Sequence, residues 1–351
     1  MKSDFKYLMA FTIPISAAVG IYLGGVFTFL TPFYSFVLIP ILEIILRQDA
    51  SNYSPKEIES RSKSKFFDSL LYLNVPIVFG ILFAALQMIT SEAYSTTEFI
   101  GLVFTVGIVL GSNGINVAHE LGHRQGKIAR FFAKLLLLPS HYMHFYIEHN
   151  FGHHVNAATH EDPATARYNQ NIYNFWIQSI VHQYISAWKI QLKLLRREDK
   201  SFFAIQNDML WYLCAQMIYL VTIFLLFQGI GLLFAVLSGV VGFLLLETTN
   251  YIEHYGLIRL KKDSGRYERV KEIHSWNSNH VLGRMMLYEL TRHSDHHYRS
   301  SKKYQILEYH DISPQMPYGY PTSMVLALIP PLWFKIMNPR IPSEMKPSIA
   351  A

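Results

Sequence analysis

Six stretches of the 351-residue chain are apolar over roughly the 20 residues needed to cross the hydrocarbon of a bilayer. They lie near residues 8–26, 29–46, 70–90, 97–117, 209–227 and 229–248. In hydrocarbon each backbone N–H and C=O must be satisfied inside the segment, which a helix achieves. Composition agrees: 51% of the residues are hydrophobic and 16% charged, where a soluble domain carries about 25% charge. The links at Thr28–Thr31 and around Gln228–Gly229 are short, so the first two and last two spans each read as a helical hairpin. The expected fold is an all-α integral membrane protein with six transmembrane helices. It forms one membrane-embedded domain over residues 1–351.

The connecting segments set the orientation. The 47–69 loop carries Arg47, Lys56, Arg61, Lys63 and Lys65, whereas ITSEAYSTTE, between the third and fourth spans, has two glutamates and no basic residue. The polar regions 118–208 and 249–351 are both rich in Lys and Arg. The positive-inside rule therefore places both termini and both long polar regions in the cytoplasm; the expected location is the cell inner membrane. ARFFAKLLLLPSHYMHFYI (129–147) is apolar but contains Arg130, Lys134 and Pro139. It reads as an interfacial or re-entrant helix rather than a seventh and eighth crossing, and an odd number of crossings would separate the two histidine-rich regions. The N-terminal apolar run is longer than a signal-peptide core and another follows at once, so it reads as a first span rather than a cleaved leader. A formal charge of +6 does not point to nucleic acid, since the basic residues lie between apolar stretches. Cys214 is the single cysteine, which excludes an intrachain disulfide framework, a cysteine-based metal site and a fused four-cysteine rubredoxin-like domain.

All 16 histidines fall between His119 and His310. Most belong to HELGH (119–123), EHNFGHH (148–154), NYIEHYG (250–256) and RHSDHH (292–297). His119 and His123 are four apart and share a helix face. His149 and His153 repeat that spacing, with His154 next. His293 and His297 repeat it again, with His296 between, so each triplet is expected to aim several rings at one point. His254 follows the sixth span. The topology brings all four groups to the cytoplasmic boundary. HELGH alone resembles a zinc-protease HExxH with Glu120 as base, but that reading leaves the other two boxes without a role. Nine nitrogen ligands suit two metals rather than one. Imidazole accepts zinc, copper, iron and nickel; two irons beside an apolar bundle favour oxidation of a hydrocarbon supplied by lipid. His141, His144, His182, His274, His280 and His310 lack the repeated spacing and are structural or supporting candidates; His160 is open.

These boxes, in this order, resemble the bacterial integral-membrane alkane 1-monooxygenases of the wider membrane desaturase and hydroxylase superfamily. HEDPATAR (160–167), GRYERV (265–270), HSWNSNH (274–280) and PPLWFKIMNPR (330–340) are further matches, and NYIEHYG is similar to the motif of the alkane-hydroxylating branch. The resemblance implies a non-haem di-iron enzyme that inserts one oxygen of O2 into the terminal methyl of an n-alkane to give a primary alcohol. It implies electrons from an NADH-dependent rubredoxin reductase through rubredoxin. The iron ligands it carries over are His119, His123, His149, His153, His154, His254, His293, His296 and His297. Departures are His160 where proline is usual, Tyr318 where threonine is usual, and Thr291 where glutamine is common; none removes a ligand.

Metal-bound imidazoles commonly donate their other N–H to a carboxylate or carbonyl. Glu120, Glu148, Asp162, Glu253 and Asp295 stand in or beside the boxes and are the candidates. Arg124, Lys127, Arg130, Arg299, Lys302 and Lys303 lie close by, and offer either a surface for an acidic rubredoxin or contacts to anionic lipid. The rival activities are a related di-iron hydroxylase or desaturase acting on fatty acyl or alkyl-aromatic substrates, and a membrane zinc protease. A non-enzymatic transporter would place its polar residues within the spans.

Overall fold

The computed structural model describes residues 4–90 and 94–346. Part of the link between the third and fourth spans (91–93) lies outside these described residues. Among them, five helices are long and apolar enough to cross a membrane: α1 Asp4–Leu23, α2 Gly25–Ile45, α3 Lys65–Ile89, α4 Thr96–Gly122 and, in later sequence, Asp208–His254. Between the last two come α5 Lys127–Leu137 and α6 Ile172–Arg197, which makes Asp208–His254 α7. Only isolated bridges pair extended backbone among the described residues. This is a multi-pass, all-helical membrane protein.

The first hairpin turns at Gly24 (φ 64°, ψ −167°), four residues before the expected link. Apolar residues continue on both sides, so hydropathy does not mark the turn, but glycine tolerates the left-handed φ. Ser16 Oγ lies 3.0 Å from Thr31 Oγ1, and Tyr34 OH donates to Thr12 Oγ1 at 2.8 Å, which zips the two helices together. Ser95 and Glu98 form a capping box that starts α4. Glu98 also accepts from the Gly25 N–H at 2.7 Å, tying that helix start to the first turn.

α7 has 47 residues, about 70 Å if straight, more than twice the roughly 30 Å hydrocarbon thickness. Its one non-helical residue is Gln228 (φ 56°, ψ −165°), close to the geometry at Gly24. The two halves then lie side by side. The His141 ring is 5.8 Å from that of Tyr219, and its Nε2 is 3.4 Å from the carbonyl oxygen of Ala235. The link expected at Gln228–Gly229 falls there.

Small residues let α4 and α7 approach closely, as is common where helices pack in lipid. A Cβ at Gly107 would sit 2.4 Å from Val241 Cβ. Gly107→Leu should therefore force the helices apart and cost about 1–3 kcal/mol. A melting temperature in detergent equal to wild type would refute this. After His123 the chain doubles back. α5 descends beside α4, bringing the Leu136 carbonyl to 3.5 Å from a Cβ built on Gly114. It turns at Leu138–His141 and returns to the second histidine box, consistent with the re-entrant reading of 129–147. The residues after α7 fold over the polar end around a second core that includes Phe175, Tyr251, Tyr255, Trp276 and Trp333.

Candidate metal centre

All nine histidines singled out above converge, in two groups. His119, His123, His149, His154 and His296 form one; His153, His254, His293 and His297 form the other. In the first, Nε2–Nε2 separations are 2.9 Å for His119–His296, 3.1 Å for His123–His149, and 3.0 and 3.2 Å from His154 to His149 and His123. In the second they are 3.1 Å for His254–His293, 2.9 Å for His293–His297 and 3.2 Å for His153–His297.

The expectation that each triplet aims at one point needs correction. Residues 149–153 form a π-helical turn in which the His154 N–H reaches the His149 carbonyl. In this wider turn His149 shares a group with His154, five residues on, and His153 faces the other. In the third box His293 and His297 stay together on one face of His293–Tyr298, while His296 points to the first group. Two boxes thus serve both groups. π-turns recur at functional sites, and Leu110–Ile115 of α4 forms another on the approach to His119.

Burial keeps six of the rings outside the spans neutral. It lowers His123 to about 3, with the neighbouring Arg124 charge adding to the effect. It lowers His149, His154, His293, His296 and His297 well below the usual imidazole value, with the neighbouring histidines contributing. Neutral imidazole is the form that binds metal. Imidazole nitrogens bind divalent first-row metals such as zinc at about 2.1 Å, so two ligands at a right angle lie roughly 3 Å apart. The observed separations match that spacing. The residues fit two metal ions, one held by five nitrogens and one by four.

The carboxylates divide by geometry. Asp162 Oδ2 lies 2.9 Å from His153 Nδ1 and accepts from Thr165 Oγ1 at 2.5 Å. Burial alone would raise its pKa, but His153 and the Thr165 hydroxyl hold it below the usual carboxylate range. An ionised carboxylate only accepts, so His153 carries its proton on Nδ1 and turns the Nε2 lone pair inward. Asp162→Asn should lower metal affinity about 10–100-fold, read by competition with a chelator; an unchanged affinity would remove Asp162 from the site. Glu253 stands differently: its Oε2 is 3.2 Å from His293 Nε2, on the side facing the metal position. Its Oε1 accepts from Tyr320 OH at 2.8 Å.

The other three carboxylate candidates touch none of the nine rings in the hydrogen bonds and ion pairs of the described residues. Glu120 pairs with Arg124 at 2.7 Å and accepts from the Tyr304 N–H. Glu148 lies near Ser186, and burial with the nearby Asp162 and Glu247 raises its carboxyl well above the ordinary value. Asp295 accepts from Lys302 at 2.7 Å and the Glu308 N–H at 2.7 Å, and lies 2.9 Å from His310 Nε2. It ties the third box to the following loop. His160 is exposed on a surface recess away from both groups.

An apolar cavity ends on the rings. It is lined by Ile13, Phe36, Ile108, Ile115, Leu245 and Met286, and reaches His119 and His149 of one group and His293 of the other. Asn116, Thr249, Glu253 and Tyr320 are polar groups in its wall. Sequence reasoning passed over Tyr320 and Asn116, although Tyr320 stands two residues after Tyr318, one of the departures from the family pattern. It also missed Glu289, which accepts from Tyr7 OH at 2.7 Å and from Arg284 Nε at 2.7 Å. That buried pairing anchors α1 beside the third box.

The fatty acid desaturase family pattern matches residues 96–326. Alkane 1-monooxygenase 2 of Alcanivorax borkumensis is 37% identical over 340 residues, covering 96% of this chain and 89% of the relative. Alkane 1-monooxygenase 2 of Pseudomonas aeruginosa is 37% identical over 308 residues, covering 87% and 82%. The hydroxylase component of a xylene/toluene monooxygenase from Pseudomonas putida is 28% identical over 338 residues, covering 94% and 87%. With all three histidine boxes, NYIEHYG and both metal-binding groups in place, the chain belongs to the fatty acid desaturase family and, within it, to the alkane 1-monooxygenases.

Proposed function

We propose that this chain hydroxylates the terminal methyl group of n-alkanes with O2 at a di-iron centre held by the nine histidines, drawing electrons from rubredoxin and its NADH-dependent reductase. The observation carrying this reading is that one apolar cavity opens onto rings of both histidine groups. Two irons bound there would supply the dioxygen reduction needed to break an unactivated C–H bond.

The chain's own residues bind, orient and exclude water. An alkane offers no polar handle, so Ile108, Ile115, Leu245 and Met286 hold it by shape, with its terminal methyl toward the rings. Asp162 fixes the His153 tautomer through Nδ1, and Tyr320 OH holds Glu253 Oε1 while Oε2 remains beside His293. Burial keeps water from the ring cluster, which protects the reaction.

Selection by chain length follows from cavity depth. Ile108 precedes His119 by eleven positions on α4, placing it roughly 16 Å away along a helix. Ile108→Phe should shift preference to shorter alkanes. Because each methylene in an apolar site is worth about 1–3 kcal/mol, kcat/KM for the longest accepted substrate should fall roughly 10-fold or more. An unshifted profile across graded alkanes would contradict this placement.

Six crossings follow if α7 turns back at Gln228, and the positive-inside pattern then puts both termini and the metal centre on the cytoplasmic side of the inner membrane, in one catalytic domain. Rubredoxin would dock on that side. The basic residues near the boxes are unequal candidates: Arg124 pairs with Glu120, Lys302 with Asp295, and Lys303 approaches Asp68 at 3.7 Å. Arg299, exposed directly after the third box, is a better candidate than these three. The deciding experiment measures metal per chain and products from octane, hexadecane, xylene and a palmitoyl substrate, with NADH, reductase and rubredoxin. Primary alcohols from the alkanes, dependent on iron, support the reading. Turnover of only xylene or the acyl substrate would move it to a sister activity, and metal-independent turnover would end it.

A further inference from the structure

Outside the cavity that reaches the histidines, α5, residues 146–151, the C-terminal end of α6 and the start of α7 enclose a surface recess of about 540 Å³. Its level is set by the sequence. α4 ends at Gly122 and α7 begins at Asp208, so the recess lies where apolar helices give way to polar chain, the depth of lipid headgroups.

Its lining combines cations with apolar rings: Lys127, Arg130 and Lys134 beside Phe131, Phe151 and Tyr146. Two carboxylates also line it, Glu198 and Asp208. Asp208 is already neutralised by Lys134 at 2.7 Å, and that ammonium lies 4.8 Å from the centre of the Tyr146 ring. Lys127 and Arg130 are exposed, and with Glu198 the only other carboxylate in the lining, positive charge is in excess. Lys193, Arg196 and Arg197 stand exposed on neighbouring turns of α6 and add to the field. Phe131 is 62% exposed, and Phe203 and Trp211, near the start of α7, are also exposed. Large exposed rings beside cations at a membrane boundary suit a molecule with both an anionic and an apolar part.

We propose that this recess binds the headgroup of an anionic phospholipid, with Arg130 and Lys127 on its phosphate oxygens and its acyl chains running along the Phe131 side of α5. Guanidinium and ammonium groups are both suited to phosphate. An acidic protein is the poorer occupant, because the recess sits at the membrane surface and is rimmed by exposed aromatic residues.

The test is native mass spectrometry of the purified full chain in detergent, with equal amounts of phosphatidylglycerol and phosphatidylcholine carrying the same acyl chains. Wild type should retain phosphatidylglycerol with a preference of roughly tenfold or more, given two basic side chains at an anionic surface. The preference should shrink as salt is raised. K127Q/R130Q should abolish it, while K262Q, at an exposed lysine elsewhere, should not. Equal retention of the two lipids by wild type overturns the proposal without any variant, as does a preference that survives in K127Q/R130Q. If the double variant does not fold, Lys127→Gln alone should reduce the preference, and an unchanged preference there counts against the site. If K127Q/R130Q retains lipid as wild type does but is reduced more slowly by rubredoxin, the recess serves a protein partner and the lipid assignment falls.

Discussion

Replacing His297 with alanine should yield a protein that binds about one metal ion fewer per chain and loses alkane hydroxylation by a factor of about 100 or more. The His297 Nε2 lies 2.9 Å from that of His293 and 3.2 Å from that of His153. It therefore belongs to the group with only four nitrogens. Loss of an outer partner typically costs 10–100-fold in affinity or activity, and loss of a direct ligand should cost at least as much. His310→Ala is the matched control. His310 sits in the same region but meets Asp295 rather than either group, so its variant should keep its full metal content. Elemental analysis of both proteins, with a check that each elutes as a folded species, decides the matter. A His297→Ala protein with wild-type metal and rate would show that the two groups are not the metal centre.

Acid should destabilise the metal-free protein steeply. Burial lowers His123 to about 3 and carries five further rings outside the spans well below the ordinary value. In the unfolded chain the same rings take up protons as pH falls through about 6.5. The folded chain does not, so between about pH 6.5 and 3 the unfolded state binds more protons and stability drops. Each such ring contributes a loss of up to about 1.4 kcal/mol per pH unit. Above about pH 6.5 both states hold neutral rings and this dependence vanishes. Bound metal should move the loss to lower pH, because protons must then displace it. The measurement is the melting temperature of metal-free and metal-loaded protein between pH 8 and 4. A metal-free protein equally stable at pH 7 and pH 5 would mean that the rings are not held neutral.

Much of this molecule was legible in the chain alone. The spans expected near 70–90 and 97–117 correspond to Lys65–Ile89 and Thr96–Gly122, and the break in the longest helix falls at Gln228. Hydropathy succeeds here because lipid leaves an apolar 20-residue run little choice but a helix. It fails at Gly24, where the turn lies inside continuous apolar sequence and only the left-handed φ distinguishes it.

That nine histidines gather at one end of the bundle was legible for a similar reason. Few side chains offer neutral nitrogen, and these recur at short spacings in four segments. Their division between the two groups was not. Helical spacing pairs His149 with His153, but a π-turn of one extra residue pairs His149 with His154 and sends His153 to the other side. The carboxylates divide likewise: Asp162 meets a ring, whereas Asp295, inside a box, holds Lys302 and the Glu308 amide. Residue type and local spacing thus determined which atoms could bind metal and which segments sit in lipid. Which rings share an ion, which carboxylate faces them and where the apolar cavity ends were decided by the tertiary structure. Those relations depend on how four segments far apart in the chain pack at one end of the bundle, where a single added residue in a turn rotates a ring from one group to the other.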